Sequence, residues 1–211
     1  MSFKKETFRL TAQGIIDNLA KRNIEGFYCE DSASLVEQVT SLMEEGAVVS
    51  WGGSQSVKEC GLMDAIRSGK YNLIDRTLAT NMQEERELQA KTVLSDYYLM
   101  STNAMTLSGE MVNIDGNGNR LSALIYGPKT VIIVVGMNKI TADVESAYKR
   151  VRTLSCPPNA VRLNRNTPCG KTGICADCLS PDCFCNQIVI TRRSGHVGRI
   201  KVFLVGEELG Y

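Results

Sequence analysis

The sequence predicts an α/β fold with a mostly parallel layered sheet and helices on both faces. Three observations lead to this prediction: short continuous apolar runs recur along the chain, glycine or asparagine turns follow several of them, and segments of helical periodicity separate them. The clearest run, residues 129–135, is apolar on both faces, as the middle of a covered parallel sheet requires. With 211 residues and 43% apolar content, the chain is expected to form a single domain over residues 1–211.

The first half of the chain alternates predicted helices with predicted strands. Apolar residues at steps of three and four predict an amphipathic helix over residues 3–22. Three further helices are predicted to begin near Ser34, Ser56 and Thr80, because Glu or Gln follows each of them three positions later in a capping-box pattern. The predicted strands are residues 47–51, 71–75 and 97–101.

The second half predicts a hairpin, one helix and three more strands. Apolar residues on both sides of Ser108 and Gly109 favour a β-hairpin over residues 104–115. A helix is predicted from a cap at Thr141 to about residue 154, where Pro157 and its neighbours are expected to stop it. The predicted strands are residues 129–135, 188–191 and 200–205.

Charge and hydropathy exclude several classes of protein. There are 24 basic and 23 acidic residues, so the total charge gives no reason to expect binding to nucleic acid or to a membrane surface. No apolar stretch is long enough to span a membrane, and the first residues do not form a secretion signal. A cytoplasmic location is therefore expected. The single histidine, His196, makes a Ser-His-Asp site or a multi-histidine metal site a poor hypothesis.

Ligands of open parallel sheets bind beyond the carboxyl ends of the strands, so three turns matter most. They are residues 52–56, the stretch from Asn103 to Arg120, and residues 136–139. Gly52, Gly53 and Ser54 could hold a phosphate or carboxylate through backbone N–H groups. A tight turn that uses glycine only for its conformation explains them equally well.

The second and third turns supply the candidate catalytic residues, Glu110, Asp115 and Lys139. Asn and Asp are also common turn residues, and a lysine that begins a loop is usually exposed, so a purely structural role is the alternative. Neighbouring polar and glycine residues complete a predicted site for a small anion. With the first turn, the predicted ligand-binding set is Gly52, Gly53, Ser54, Asn103, Asn113, Gly116, Gly118, Asn119, Arg120 and Asn138.

A long central motif carries a resemblance to a known family. It comprises residues 103–106, 109–120, 126–129 and 136–140, and Gly52-Gly53-Ser54 and Ile74-Asp75-Arg76 fit the same pattern. From about residue 45 to its end, the chain resembles the lactate-utilisation (LUD) domain family. The resemblance implies a fold related to the sugar-phosphate isomerase and CoA-transferase group. It also implies a role connected with L-lactate oxidation in an iron–sulfur-containing system, without implying a defined reaction.

A cysteine-rich insertion over residues 166–187 carries the strongest chemical signal. Its five closely spaced cysteines could wrap one metal centre in a flexible loop. The predicted ligands are Cys169, Cys175, Cys178 and Cys185. Cys183 is left out because two ligands only two residues apart strain a small chelate ring. The residues from Tyr148 to Lys201 include ten basic and two acidic side chains, a bias that suits an anionic centre or simply a solvated surface.

The identity of the metal stays open between two centres. Zinc would make the insertion a structural clip. An iron–sulfur cluster of the 4Fe-4S type is favoured by the association of the resembled family with iron–sulfur partners and by the local positive charge. Reduced cysteines without a metal are the remaining alternative.

Three functions remain as hypotheses. The first is an accessory component of L-lactate or related organic-acid oxidation with a cysteine-bound metal centre. The second is an enzyme acting on a sugar phosphate or a CoA-like anion, and the third is a zinc-stabilised, non-catalytic binding protein. The partners expected are a small anionic ligand, iron–sulfur proteins of a lactate oxidation system, and further copies of the same chain in a homo-oligomer.

Overall fold

The computed structural model describes residues 2–211, and two sheets organise the chain. The ten strands of the described residues are β1 (Glu25–Cys29), β2 (Val48–Trp51), β3 (Asn72–Ile74), β4 (Tyr97–Met100), β5 (Ala104–Thr106), β6 (Met111–Asp115), β7 (Thr130–Gly136), β8 (Ile140–Thr141), β9 (Gln187–Thr191) and β10 (Ile200–Val205). The larger sheet has the order β1-β10-β7-β4-β2-β3, and every neighbouring pair in it is parallel. The predicted α/β class with a mostly parallel sheet is confirmed.

Helices cover both faces of the larger sheet. The nine α-helices are α1 (Phe3–Ala20), α2 (Ser32–Leu42), α3 (Gln55–Glu59), α4 (Leu62–Ile66), α5 (Met82–Val93), α6 (Asn119–Ile125), α7 (Val144–Arg150), α8 (Cys156–Arg162) and α9 (Pro168–Thr172), counted over residues 2–211. Alternate side chains of β7 enter two different cores. Ile133 packs with α1 and α6 in one core, and Val134 packs with α2, α3 and α4 in the other. Burial on both faces explains why β7 reads as a continuous apolar run.

The smaller sheet has the order β8-β5-β6-β9 and packs against α7 and the start of α8. The predicted hairpin is confirmed, because β5 and β6 pair antiparallel around Ser108 and Gly109. The last residues of this hairpin pair with β9, so the strand that follows the cysteine-rich segment is tied to the middle of the chain. Residues 173–186, just before β9, contain neither helix nor strand.

The predicted helix caps are displaced by one to three residues. The observed N-cap residues are Asp31, Ser54, Asn81 and Asp143, in place of Ser34, Ser56, Thr80 and Thr141. In each observed case the side-chain oxygen accepts a hydrogen bond from the backbone N–H three residues later, which satisfies a donor that the helix itself leaves free. The capping-box pattern alone does not distinguish such a residue from a neighbouring Ser or Thr.

The prediction that Cys156 and Pro157 stop the helix after α7 is wrong. The chain continues from α7 through a π-helical segment, Val151–Ser155, directly into α8. Proline is tolerated there because it occupies the first turn of α8, where its missing N–H is not needed. The π-helical segment therefore lies between α7 and α8 without a break in the helical chain.

The neighbouring strands β2, β4 and β7 place their carboxyl ends at one edge of the larger sheet. The turns that follow them are residues 52–54, residues 101–103 and the short 3-10 turn Met137–Lys139. This edge therefore collects the three turns that the sequence singles out. Within residues 2–211, no helix has the length and apolar character needed to cross a membrane.

Candidate functional site

A polar cavity of about 540 Å³ lies beyond the carboxyl ends of β2, β4 and β7. The three strand-end turns form its floor, and residues from α8 and from the cysteine-rich segment form a second wall. The basic residues that line it are Arg76, Arg120, Lys139, Arg162 and Arg165, and the acidic ones are Glu85, Asp115 and Asp182. The excess of basic side chains favours an anion as the occupant.

Arg120 holds the floor of the cavity together. Its Nε lies 3.4 Å from the carboxylate of Asp115. Its two terminal nitrogens donate hydrogen bonds of 2.7–3.2 Å to oxygen atoms of Ser101, Asn103, Asn113 and Ile114. Burial lowers the pKa of Arg120, and the nearby Asp115 carboxylate opposes that change. Since its donors are used within the protein, Arg120 positions the turns rather than offering a free cation to a ligand.

Arg150 is a second buried brace, only 8% exposed. Its guanidinium donates to the backbone oxygens of Asn103 and Asn138 at 2.8 and 3.1 Å, and to the hydroxyl of Ser155 at 2.9 Å. Asn103 thus receives bonds from both arginines, because its side-chain oxygen accepts from Arg120 at 3.1 Å. Together the two arginines fix the turns after β4 and β7 relative to each other.

Lys139 is a buried basic group of the cavity with a strongly lowered pKa. It is 4% exposed, and its Nζ donates to the hydroxyls of Ser56 and Ser101 at 2.7 and 3.0 Å. Burial lowers its pKa to about 7, and the positive charges of Arg150 and Arg120 contribute to the decrease. Within residues 2–211, no carboxylate forms a salt bridge with it. An anion that enters the cavity would restore the protonated form.

Asp115 is engaged in local structure. One of its oxygens accepts the backbone N–H groups of Asn117 and Gly118 at 3.2 and 2.9 Å, and the other faces Arg120. This arrangement is an Asx turn that leads into α6. The carboxylate is therefore a positioning group in this structure, as the turn-forming alternative predicts.

Eight of the thirteen predicted catalytic and ligand-binding residues line the cavity. They are Gly53, Ser54, Asn103, Asp115, Gly116, Asn119, Arg120 and Lys139. Four of the others support it from behind. A Cβ at Gly52 would lie 3.1 Å from the Tyr98 hydroxyl, and the side-chain oxygen of Asn113 accepts a hydrogen bond from Arg120. Gly118 precedes α6 with a positive φ of 77°. The side chain of Asn138 forms hydrogen bonds with the backbone of Leu209 and Gly210.

Glu110 lies outside the cavity lining. Its carboxylate forms an ion pair with Arg22 of the turn after α1 and accepts hydrogen bonds from Thr106 and Ser108 at 2.5 and 2.7 Å. Burial raises the pKa of Glu110, but these hydrogen bonds and Arg22 outweigh burial and bring it to about 2. The side chain is a charged strut that ties the hairpin to α1.

Sequence reasoning did not assign a role to several cavity residues. Arg76 comes two residues after the end of β3. Because β3 pairs in parallel with β2, the strand order could have placed Arg76 beside the turn that follows β2. A terminal nitrogen of its guanidinium lies 3.0 Å from where a Cβ of Gly53 would be. Arg162 comes from the end of α8, and nothing local to it signals its arrival at the cavity. Ser56 lies in the first predicted turn and Ser101 ends a predicted strand, but only the structure shows that their hydroxyls accept hydrogen bonds from Lys139.

The four predicted metal ligands lie beside four different partners. The thiol of Cys169 contacts Thr167 at 3.3 Å, and the sulfur of Cys175 accepts from Arg152 at 3.3 Å. Cys178 contacts Ser180 at 3.4 Å, whereas the sulfur of Cys185 lies 3.6 Å from that of Cys156. Over the described part of the chain, no three His, Cys, Asp or Glu side chains are arranged to hold a metal ion. This arrangement of sulfurs does not fit a zinc ion or an iron–sulfur cluster, and the metal content stays a prediction.

Comparison with known proteins identifies the family. The model of the LUD domain matches residues 12–205, which is most of the chain. The chain belongs to the LUD domain family. The resemblance of its central motif is thereby confirmed, and the LUD chain is a lactate-utilisation-type protein.

A solved structure supports the fold of the LUD chain. A DUF162 family protein from Deinococcus radiodurans matches with a TM-score of 0.55 and 15% identity, over 94% of this chain and 98% of the other. A weaker likeness, to eIF2B delta from Chaetomium thermophilum, has a TM-score of 0.37 and 14% identity over 56% of this chain and 50% of the other, too low to support any conclusion. No curated protein matches the LUD chain.

The depressed pKa of Lys139 predicts a specific pH dependence of stability. Below about pH 7 the folded and unfolded chains both hold the proton, whereas between about 7 and the usual value of 10.5 only the unfolded chain holds it. Stability must therefore rise with pH across that window, by on the order of 3 kcal/mol from pH 7 to pH 10 for this group. We expect Lys139→Met to abolish this rise in stability with pH. Lys70→Met, at an exposed lysine, should leave the rise unchanged.

Urea unfolding at pH 7 and pH 10 measures the difference between each variant and the unchanged protein. Comparing variants cancels the titration of cysteines and tyrosines in the same range. If Lys139→Met and Lys70→Met show the same pH dependence, Lys139 titrates near its usual value and the buried-amine description is wrong.

Proposed function

We propose that this LUD protein binds a small carboxylate- or phosphate-bearing anion in its strand-end cavity, as an accessory component of L-lactate or related organic-acid oxidation. One observation carries the proposal. Arg76, Lys139 and Arg162 line the cavity, and none of them forms a salt bridge with a carboxylate of residues 2–211. Three basic groups without acidic partners around one cavity favour an anion supplied from solution.

The three groups differ in what they offer an anion. Arg76 is half-buried and Arg162 is exposed, so both guanidinium groups can adjust to a ligand, and their planar donors suit the two oxygens of a carboxylate or phosphate. Lys139 is buried and shielded from solvent, so its positive charge would interact strongly with an anion that excludes the remaining water. Arg162 is already oriented by Asn159 and the hydroxyl of Tyr211, at 2.7 Å each from its nitrogens.

Gly53 and Ser54 contribute mainly shape. The hydroxyl of Ser54 accepts the N–H of Val57 at 3.3 Å as the cap of α3, so it is already engaged. Gly53 lets the guanidinium of Arg76 approach the backbone closely. The anion is therefore expected to bind through Arg76, Lys139 and Arg162 above this turn, rather than through the turn itself.

The wider setting of the proposal follows from family membership. A lactate-utilisation-type protein is expected to act beside iron–sulfur proteins of an organic-acid oxidation system, in the cytoplasm and as a homo-oligomer; these remain predictions. Chemistry on a sugar phosphate or CoA-like ligand is the alternative, and Lys139, with a pKa of about 7, is the side chain best suited to accept a proton in it. A non-catalytic, zinc-stabilised binding protein is the third hypothesis for the function.

Anion binding by the full chain tests the proposal. Calorimetric titration with L-lactate, pyruvate, inorganic phosphate, a sugar phosphate and CoA should find at least one ligand. Arg76→Gln and Arg162→Gln should each weaken its binding about tenfold, the value of one charge-assisted hydrogen bond. Arg67→Gln is the matched control, because Arg67 is exposed and lies outside the cavity lining.

The pattern of ligands separates the alternatives. Binding of L-lactate or pyruvate supports the accessory role, whereas binding of only the sugar phosphate or CoA supports the enzyme alternative. Equal effects of Arg67→Gln and Arg162→Gln, or no binding of any anion, would contradict the cavity assignment.

The predicted metal centre needs its own measurement. Metal and acid-labile sulfide are determined on protein purified without oxygen or chelator. Iron with sulfide would support a cluster, and zinc without sulfide would support a structural clip. In either case Cys175→Ser and Cys178→Ser should lower the metal content, with Cys29→Ser as the control at a cysteine outside the segment. Unchanged metal content in the first two variants would contradict the ligand assignment.

A further inference from the structure

We infer that Cys156 and Cys185 form a dithiol site that small-molecule disulfides convert reversibly into an intramolecular disulfide, linking the two elements that form the second wall of the cavity. Formation of the disulfide is independent of the proposed function. Its effect on ligand binding rests on that function.

The two sulfurs are already in contact. The Sγ atoms lie 3.6 Å apart, although the residues are 29 positions apart in the sequence. A disulfide bond of about 2.05 Å requires them to approach by roughly 1.5 Å. Cys185 can make this movement because it lies in the irregular residues 173–186, whereas Cys156 is fixed at the start of α8.

Accessibility assigns different roles to the two thiols. Cys156 is 4% exposed and belongs to the core between the smaller sheet and α7, whereas Cys185 is half-buried at its margin. Cys183 lies next to it, and the Cys183 sulfur accepts the backbone N–H of Cys185 at 3.4 Å. A small oxidant therefore meets the half-buried thiol first, and the buried thiol completes the disulfide.

The reaction balances as two thiol–disulfide exchanges. The thiolate of Cys185 attacks one sulfur of a small disulfide, which forms a mixed disulfide and releases one small thiolate. The thiolate of Cys156 then attacks the sulfur of Cys185 and releases the second small thiolate. Two protein thiols lose two protons and two electrons, and one small disulfide becomes two thiols.

The new bond would join α8 to the cysteine-rich segment, the two elements that form the second wall of the cavity. Cys156 opens α8, which carries Asn159 and Arg162 to the cavity. Cys185 lies between Phe184 and Asn186, which also line the cavity. Oxidation would therefore fix the distance between the proposed anion-binding Arg162 and the cysteine-rich segment.

The test uses the reduced full chain incubated with oxidised glutathione. Remaining thiols are alkylated after unfolding, and intact mass with non-reducing peptide mapping locates any cross-link. We expect two of the eight thiols to become unreactive, a peptide pair joined through Cys156 and Cys185, and full reversal by dithiothreitol. Cys185→Ser, at a half-buried position, should lose this pair, and Cys29→Ser should keep it.

Three results would overturn the inference. All eight thiols could remain reactive, the cross-links could join other cysteines and leave Cys156 reactive, or stoichiometric metal could protect Cys185. Anion titration of the reduced and oxidised forms separates this inference from the proposed function. If the disulfide forms but the protein binds no anion, the dithiol site is supported and the cavity assignment is wrong. If the protein binds an anion but no Cys156–Cys185 disulfide forms, the cavity assignment is supported and the dithiol site is wrong.

Discussion

The hydrogen bonds of the buried Arg120 guanidinium are the interaction on which the rest of the site depends. A buried positive charge is tolerated only when its donors are satisfied, and Arg120 satisfies them with oxygens from the end of β6 and from the turn after β4. Arg150 repeats the arrangement and shares Asn103. Because both arginines need these oxygens, the turns must converge, and their convergence creates the cavity.

The same arrangement explains the electrostatics of the cavity. Arg120 and Arg150 place positive charge close to Lys139, and burial removes the water that would otherwise screen it. Lys139 therefore carries its charge at a cost in the folded protein. A bound anion would lower that cost, so the constraint that builds the cavity also favours its proposed occupant. Family membership and fold fit this account, and the account assigns the choice of anion to the half-buried Arg76 and the exposed Arg162.

The sequence predicts the place of the cavity better than the contacts of the residues around it. The apolar run of β7 and the turns at the strand ends could be predicted, because parallel sheets bury their middle strands and gather their carboxyl ends at one edge. The strut role of Glu110 could not, since its partner Arg22 is 88 residues away in the sequence. The position of Arg162 at the cavity could not be predicted either, because the sequence predicts that the helix ends before α8, which carries Arg162. The spacing of the cysteines likewise predicts that those of the cysteine-rich segment lie near one another. It does not predict the contact of Cys185 with Cys156, which lies outside that segment.

A crystal structure of the protein grown with its tightest anion tests the central claim most directly. The account predicts density for the anion in the strand-end cavity, within hydrogen-bond distance of Lys139 and of Arg76 or Arg162. A second basic groove, formed by Lys21, Arg22, Arg192 and Arg193, provides an internal comparison on the same molecule. An anion bound only in that groove, with solvent alone beside Lys139, would contradict the account.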